Sequence, residues 1–156
     1  MTAKEGKKPA GPRLADFLCF AIYSANLAFG RAYTPILEPL GLTYPQYIAM
    51  VALWEEDEQT VGSLGEKMFL ESNTLTPLLK KLEAMGYVRR RRAAADERQV
   101  VVSLTDAGRR LREKLSTTTL LKATGLGAEG FATMQKGVVA VRDNLIKAAG
   151  GNGQGR

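Results

Sequence analysis

The apolar residues of this chain recur mainly at helical spacing. Between Leu14 and Ala32 they follow one another at steps of three and four, which predicts one long helix with an apolar face. Pro35 is expected to end or kink that helix, because proline lacks a backbone N–H and clashes with the preceding turn. Thr43 and Pro45 then indicate the start of a second helix, which runs into the acidic sequence EEDE.

Two shorter helices are predicted next. Thr60 is expected to cap the first of them, which spans residues 61–68. Ser72 is expected to cap the second, which extends to Met85 and ends at Gly86, because glycine is common just past a helix C-terminus. This pattern is typical of two helices joined by a tight turn.

The apolar period changes from 3.6 to 2 after these helices. Residues 87–90 and 99–103 alternate as strands do, and they flank the charged sequence RRAAADER, which predicts a β-hairpin. Thr105 is expected to cap a further helix over residues 106–122, and a last amphipathic helix covers residues 131–148. The predicted order is therefore four helices, a hairpin and two more helices.

The two ends of the chain differ in composition from its interior. Residues 1–13 are rich in Lys, Gly and Pro and are expected to form a flexible arm, while residues 150–156 are rich in glycine and are expected to form a flexible tail. No internal repeat or long linker interrupts the interior, so residues 14–149 are expected to form a single domain.

The composition narrows the possible classes of function. Apolar residues make up 45% and charged residues 24%, as in an ordinary globular protein, and no apolar run is long enough to cross a membrane. The chain has no histidine, which excludes the usual Ser-His-Asp and Cys-His catalysis and leaves no plausible zinc site. Its single cysteine precludes an intrachain disulfide and suits a reducing cytoplasm. We therefore expect neither a metalloenzyme nor a conventional hydrolase, and no cofactor.

The positive charge of the chain is concentrated in one segment. The formal net charge is +6, and residues 80–114 hold eleven Lys and Arg against five Asp and Glu. A basic block inside a folded region favours a polyanionic partner, with nucleic acid first and an anionic membrane second. On charge alone, a solvated basic face is the simpler alternative.

The order of the middle elements indicates a specific architecture. Two helices joined by a tight turn and followed at once by a hairpin define a winged helix-turn-helix. In that architecture the second helix enters the major groove of DNA, and the hairpin, or wing, reaches the adjacent minor groove or the backbone. The expected fold class is therefore mainly α with a small β-hairpin wing.

The candidate DNA-binding residues lie on the second helix and on the wing. Short polar side chains occupy the first turns of the helix, lysines that suit phosphates follow, and an arginine lies at the wing tip with a carboxylate nearby to support it. These residues are Ser72, Asn73, Thr74, Thr76, Lys80, Lys81 and Arg98, with Asp96 as the support. Helix capping is the alternative role for Ser72, and an ordinary strand position is the alternative for each arginine of residues 89–92.

The sequence resembles one protein family in two stretches. LGEKMFLESNTLTPLLKKLEAMGYVRRRRAAADERQVVVSLTDAGRRL, residues 64–111, resembles the winged-helix core of the MarR family and contains its signature DER-x-V-x-V-x-LT-x-x-G. LCFAIYSANLAFGRAYTPILEPLGLTYPQYIAMVALWE, residues 18–55, resembles the organic-hydroperoxide-sensing, OhrR-like branch. The resemblance implies a homodimeric repressor, not an enzyme, that binds a near-palindromic operator on double-stranded DNA and releases it when a hydroperoxide is sensed.

The resemblance also implies that different segments of the chain mediate dimerisation and DNA binding. Residues 14–42 and 105–149 would form the dimerisation helices, and residues 43–104 would form the DNA-binding part. The apolar faces of the N- and C-terminal helices are an independent reason to expect a dimer seam there.

The resemblance assigns a redox sensor residue by residue. Cys19 matches the peroxide-reactive cysteine, and Tyr33 and Tyr44 match the two tyrosines that hydrogen-bond its thiolate, one of them donated by the partner subunit. A thiolate is the attacking species, and two phenol donors stabilise its negative charge without a cation. The residues near Cys19 that are expected to line a pocket for an alkyl or lipid hydroperoxide are Phe17, Phe20 and Tyr23.

One departure from that branch bears on the oxidised state. Some members carry a second, resolving cysteine, whereas the corresponding region here reads STTTLLKATGLG. The resemblance then implies a one-cysteine mechanism, in which a low-molecular-weight thiol traps the sulfenic acid of Cys19 or further oxidation consumes it.

Three other functions stay open at this point. A MarR-type repressor that responds to a reversible phenolic or other aromatic ligand would leave Cys19 structural. A thiol peroxidase would use the same cysteine, although no peroxidase motif or neighbouring cation accompanies it in sequence. A nucleoid-coating protein would bind DNA with little sequence preference.

Overall fold

The computed structural model describes residues 11–115 and 118–151, which divide into two compact units at residue 115. The first unit contains five helices, a three-stranded sheet and short 3-10 turns, and the second contains two helices. The helices are α1 (Leu18–Leu37), α2 (Tyr44–Glu55), α3 (Val61–Met68), α4 (Ser72–Ala84), α5 (Asp106–Leu111), α6 (Thr118–Ala123) and α7 (Ala128–Gly151). The strands are β1 (Gln59–Thr60), β2 (Val88–Arg92) and β3 (Val100–Leu104).

The first helix differs from its prediction at both ends. It begins at Leu18, because residues 14–16 form a separate 3-10 turn, and it continues past Pro35 to Leu37. Pro35 therefore does not end the helix. It lies in the last turn, so any bend that it causes affects only the end of the helix, and the buried side chain of Leu37 holds that turn against the core. Gly41, with φ of 69°, then reverses the chain before α2.

Local capping explains where the next helices begin. Thr43 and Gln46 form a reciprocal capping box at α2, and the Thr60 side chain accepts a hydrogen bond from the Ser63 N–H, 3.1 Å away, at α3. Both starts are as predicted. The expectation for Ser72 is wrong, because it is the first residue of α4 and its side chain makes no capping bond.

The sheet contains one strand more than the sequence predicted. Its order is β1-β3-β2, all antiparallel, with Val88 opposite Leu104 and Arg92 opposite Val100 in the wing hairpin. The added strand, β1, is two residues long and pairs with β3 just before α3 begins. This strand anchors the base of the wing to the helix-turn-helix.

The hydrophobic core lies among α1, α2, α3, α4, α5 and the sheet. Its fully buried side chains come mainly from α2 and α4, where leucines recur at helical spacing. They include Met50, Leu53, Leu64, Leu75, Leu79, Leu82, Val88, Val102 and Leu111. The core therefore holds α4, the second helix of the helix-turn-helix, between α2 and the wing.

The C-terminal region is more interrupted than predicted. The expected helix over residues 106–122 stops at Leu111, and Leu115 has an extended backbone with φ of −109°. Helix α7 begins at Ala128, a little earlier than expected, and reaches into the predicted tail. The arm residues 1–10 and the tail residues 152–156 lie outside the described residues. In the part of the chain that the structure covers, no helix has the length and apolarity needed to cross a bilayer.

Gly108 provides a test of how tightly α5 packs on the wing. A Cβ atom at this position would lie 2.1 Å from the carbonyl oxygen of Tyr87, at the start of the wing. We expect Gly108→Ala to lower the free energy of unfolding by at least ~2 kcal/mol, because backbone atoms would have to move apart. Thermal unfolding followed by circular dichroism measures the change.

Gly62→Ala is the matched control, because a Cβ at this helical glycine meets nothing closer than 3.9 Å. It should leave stability unchanged or raise it by up to ~1 kcal/mol, since alanine restricts the unfolded chain. Equal melting temperatures for the two variants would contradict the close packing of α5.

Candidate DNA interface and redox site

The start of α4 presents the polar residues expected to meet DNA. Ser72, Asn73 and Thr74 are exposed in the first turn, whereas Thr76 is half-buried and its hydroxyl donates to the Ser72 carbonyl at 2.7 Å. The tight turn before α4 requires Gly65, because a Cβ there would lie 2.6 Å from the Leu70 carbonyl oxygen. The turn therefore fixes the end of α4 that carries these side chains.

The lysines of α4 are free to contact an external anion. Lys80 and Lys81 are both exposed, and neither makes an ion pair or hydrogen bond among residues 11–115 and 118–151. They follow the polar first turn along the same helix. Both cations are therefore available to an anion outside the chain.

Most wing arginines are already engaged within the chain. Arg90 forms a part-buried pair with Glu83 of α4, in which Nη2 lies 3.1 Å from Oε1 and the Arg90 backbone N–H donates to Oε2 at 2.8 Å. These contacts hold the pKa of Glu83 below its usual value, chiefly through the backbone hydrogen bond from Arg90. Arg91 pairs with Glu58, and Arg92 donates to the Glu97 carbonyl.

Arg90, Arg91 and Arg92 therefore each have a partner within the chain. Arg89 differs, because its exposed guanidinium makes no ion pair or hydrogen bond within the described chain.

Arg98 lies at the wing tip and is held in a defined orientation. Its side chain is 91% exposed, and Asp96 accepts hydrogen bonds from both its backbone N–H and its Nε, each at 3.1 Å. The side-chain bond from Arg98 also lowers the pKa of Asp96, which keeps the carboxylate charged. The structure thus contains the expected support of Arg98 by Asp96.

The acidic turn after α2, residues 56–58, contacts three elements of the predicted DNA-binding part at residues 43–104, which we call the DNA-reading unit. Glu56 pairs with Lys67 of α3, and Glu58 pairs with Arg91 of β2. Between them, the Asp57 carboxylate accepts hydrogen bonds from the backbone N–H groups of Leu104 and Glu58, both at 2.8 Å. The sequence EEDE indicated only the end of a helix, so this role of Asp57 was not predicted.

Asp57 also pairs with α5 and stays ionised. Its Oδ2 lies 3.0 Å from Nη2 of Arg109. Burial alone would raise the pKa of Asp57, but the two backbone hydrogen bonds and Arg109 outweigh it and hold the pKa below its usual value. Nearby, the Trp54 indole N–H donates to the Gly108 carbonyl at 2.9 Å, which joins α2 directly to α5.

Three tyrosines cluster where α1 meets the start of α2. The ring centroid of Tyr33 lies 4.9 Å from that of Tyr44 and 5.2 Å from that of Tyr47. Burial, followed by the neighbouring phenols, raises the pKa of both Tyr33 and Tyr44, so both hydroxyls stay protonated and can donate. Tyr47 is buried, and its ring packs against that of Tyr33. Tyr47 was not among the predicted site residues, because its contact with Tyr33 depends on how α1 and α2 pack together.

Cys19 is far from these tyrosines within one chain. It lies exposed in the first turn of α1, and Tyr33 follows fourteen residues later on the same helix, so about 21 Å of helix separates them. Steps of four, three, four and three place Cys19, Tyr23, Asn26, Gly30 and Tyr33 on one face of α1. The structure therefore brings Tyr33 and Tyr44 together but does not bring Cys19 to them.

The residues expected to line a peroxide pocket surround Cys19 in sequence, and each of them is at least partly exposed in the single chain. Phe17 immediately precedes α1 and is 41% exposed, Phe20 is half-buried, and Tyr23 is 61% exposed. A cavity of about 410 Å³ lies instead beside Tyr44, between the end of α1 and the start of α2. Among the described residues, no cluster of Cys, Asp or Glu side chains has the geometry of a metal site.

The fold and the polar face of α4 define a transcriptional regulator of the winged helix-turn-helix class. Comparison with known proteins supports this class and refines it. Residues 31–115 match the family described as transcriptional regulator SarA/Rot. The chain belongs to this family of MarR-type winged-helix regulators.

Individual relatives agree with this assignment. The HTH-type transcriptional regulator TtmR of Methylorubrum extorquens is 47% identical over 85% of this chain and 69% of its own length. The organic hydroperoxide resistance transcriptional regulator of Bacillus subtilis is 44% identical over 65% of this chain and 69% of its own length. Reduced AbfR bound to DNA is a solved structure with 36% identity and a TM-score of 0.70, covering 85% of this chain and 94% of AbfR. The resemblance to MarR-type regulators is thereby confirmed.

The Asp57 contacts predict a specific dependence of stability on pH. Because the pKa of Asp57 is lower in the folded than in the unfolded chain, its contribution is fully present above about pH 4 and is lost as the pH falls further. We expect Asp57→Asn to cost ~1–3 kcal/mol at pH 7 and to flatten the decline of stability in acid. Urea unfolding between pH 7 and pH 2.5 measures both effects.

Asp106→Asn is the control for that measurement. Asp106 pairs with the same Arg109, but its side chain is 85% exposed, so its replacement should change stability by less than ~0.5 kcal/mol. If the free energy of unfolding of Asp57→Asn fell as steeply with decreasing pH as that of the wild type, the role assigned to Asp57 would be contradicted.

Proposed function

We propose that this chain is a homodimeric DNA-binding repressor that senses organic hydroperoxides through Cys19. The observation that carries the proposal is the separation along α1 of a thiol from two clustered phenols on the same helix face. Each chain holds one half of a thiolate-stabilising site. Two copies are therefore required to complete it.

An antiparallel crossing of two α1 helices completes the site. Positions 19 and 33 lie seven residues on either side of Asn26, so a two-fold axis near Asn26 sets Cys19 of each copy beside Tyr33 of the other. Large apolar side chains exposed on or beside this helix favour such a crossing. They are Leu14, Phe17, Leu18, Tyr23, Leu27 and Phe29.

This arrangement revises one expectation from the sequence. The resemblance implied that one of the two tyrosines comes from the partner subunit. Because Tyr33 and Tyr44 of the same chain lie in ring contact, both should come from the subunit opposite the reacting Cys19.

The chemistry at the completed site is a two-electron oxidation of Cys19. The thiolate attacks the terminal oxygen of the hydroperoxide, an S–O bond forms and the O–O bond breaks. The sulfur becomes a sulfenic acid, and the departing alkoxide takes a proton to become the alcohol. Neutral Tyr33 and Tyr44 phenols stabilise the thiolate before attack, because their raised pKa keeps their protons in place.

The fate of the sulfenic acid follows from the single thiol of the chain. No second cysteine can resolve it within one subunit, so a low-molecular-weight thiol condenses with it to a mixed disulfide and water is lost. The bulky adduct cannot share the space beside Tyr33 and Tyr44, and it displaces them. Excess hydroperoxide carries the sulfur on to sulfinic or sulfonic acid.

The proposed DNA contact uses α4 in the major groove and the wing beside it. Ser72, Asn73 and Thr74 face the bases, with Thr76 near them, and Lys80 and Lys81 contact phosphates. Arg98, oriented by Asp96, enters the minor groove. The solved complex of reduced AbfR with DNA supports this assignment, and the hydroperoxide regulator of Bacillus subtilis supports the effector.

The sensor is tested by Cys19→Ser. We expect the variant to fold, dimerise and bind operator DNA as the wild type does, because residue 19 is exposed in the single chain and lies outside the core. It should fail to release that DNA when cumene hydroperoxide and a small thiol are added, whereas the wild type should release it. A gel shift on the chain's own upstream DNA measures release, and intact mass identifies the adduct.

Release of the serine variant at the wild-type dose would refute the sensor. If a phenolic compound reversibly released DNA from both the wild type and the serine variant, a ligand-responsive repressor would replace the hydroperoxide sensor as the proposed function.

The wing contact is tested by Arg98→Ala. We expect operator affinity to fall about 10- to 100-fold at physiological salt, with a relaxed preference at the base pairs beneath the wing. Lys81→Ala is the comparison, because loss of a phosphate contact should weaken binding to all sequences alike. Fluorescence anisotropy on operator and scrambled duplexes measures both. Unchanged affinity in Arg98→Ala would show that the wing does not touch DNA.

A further inference from the structure

Phe69, in the turn between α3 and α4, combines an unusual backbone conformation with an exposed aromatic ring. Its φ of 57° lies in the left-handed region, which glycine and asparagine adopt more readily than a bulky residue does. The residue is also 57% exposed, although its side chain is large and apolar. Stability alone would therefore favour glycine or asparagine at this position.

The turn that carries Phe69 is closed by backbone hydrogen bonds. The Phe69 N–H donates to the Glu66 carbonyl at 3.3 Å, and the Leu70 N–H donates to the Gly65 carbonyl at 2.9 Å. Gly65 is buried and leaves no room for a Cβ beside the Leu70 carbonyl. The backbone of Phe69 is therefore held in one conformation, and placing its ring against a partner costs little conformational entropy.

This turn leads directly into the end of α4 that is proposed to meet DNA. Ser72, the first residue of α4, follows Phe69 by three positions, and Ser72, Asn73 and Thr74 are all exposed. Three residues span at most about 11 Å, and the major groove is about 12 Å wide. A duplex that contacts the first turn of α4 would therefore pass within reach of Phe69.

The charged side chains of this turn disfavour a phosphate. Glu66 and Glu71 are exposed carboxylates, which repel phosphates, and Lys67 forms an ion pair with Glu56. A contact with DNA at Phe69 would therefore be apolar. The apolar C–H groups that a duplex offers near the major groove belong to thymine methyl groups and deoxyribose rings.

We propose that Phe69 is an apolar DNA contact, in which its ring packs against C–H groups of the duplex at the edge of the major groove. The inference rests on the proposed function, because it requires α4 to lie in that groove. Burial of the ring against DNA offsets the free energy that the left-handed backbone costs in the free protein. The contact neutralises no phosphate, so it adds affinity without adding to the salt dependence of binding.

Phe69→Asn tests the contact, because asparagine suits the left-handed backbone but has no apolar ring. We expect the reduced variant to bind the chain's own upstream DNA about tenfold more weakly, with an unchanged slope of log affinity against log salt. Its melting temperature should equal or exceed that of the wild type, because the backbone strain is relieved. Fluorescence anisotropy over a range of salt concentrations measures affinity and slope, and circular dichroism measures unfolding.

Phe69→Leu is the matched control. Leucine keeps an apolar side chain and the same backbone strain, so affinity should fall no more than about threefold and the melting temperature should not exceed that of the wild type. The two variants together separate the apolar contact from the backbone conformation.

A duplex with deoxyuridine in place of thymine identifies the C–H groups involved, because it lacks the thymine methyl groups. If the wild type binds this duplex more weakly and Phe69→Asn does not discriminate, the ring packs on a thymine methyl group. If both proteins respond equally to the replacement while the affinity difference between them persists, the ring packs on deoxyribose.

The outcomes separate this inference from the proposed function. Affinity of Phe69→Asn within about twofold of the wild type would refute the contact, and so would a salt slope reduced by about one, which indicates a lost phosphate contact. A lower melting temperature of Phe69→Asn would also refute it, because Phe69 would then stabilise the fold. If Asn73→Ala weakens binding in the same assay, only the Phe69 contact falls. If Asn73→Ala also has no effect, the proposed placement of α4 falls with it.

Discussion

The carboxylate of Asp57 is the constraint on which the DNA-reading unit depends. It accepts hydrogen bonds from its own turn and from the backbone of β3 and pairs with Arg109, so the turn after α2, the wing and α5 meet at one ionised group. Such a group is stable only while its partners remain in place, since a half-buried charge without them is costly. A second carboxylate, Glu83, repeats the arrangement between α4 and β2. The position of the wing is therefore fixed by the turn after α2 and by α4, both of which lie outside the wing.

Elements whose boundaries depend on nearby residues could be predicted from the sequence. The starts at Thr43, Thr60 and Thr105 and the turn at Gly86 follow from side chains within three residues of the backbone groups they satisfy. Strand β1 could not be predicted, because two residues carry no period and acquire strand geometry only by pairing with β3. The bond from Asp57 to Leu104 spans 47 positions, which no local pattern reveals.

The candidate site divides in the same way. A resemblance in sequence singled out Cys19, Tyr33 and Tyr44, and helical periodicity alone shows that the first two share a face of α1. Only the structure shows that the ring of Tyr44 contacts that of Tyr33, and that the buried ring of Tyr47 packs against Tyr33 as well. The length of α1 therefore keeps the Cys19 thiol out of reach of the Tyr33 and Tyr44 hydroxyls of its own chain.

The internal pairing of the wing arginines changes how the basic segment should be counted. The guanidinium groups of Arg90, Arg91 and Arg92 each bind a partner within the chain. The side chains of Arg89, Lys80 and Lys81 do not, among the residues that the structure describes. Only cations that neutralise phosphates displace the counterions condensed along a duplex. The entropy gained by releasing counterions on binding, and with it the sensitivity of binding to ionic strength, is therefore set by fewer groups than the eleven Lys and Arg residues of the segment.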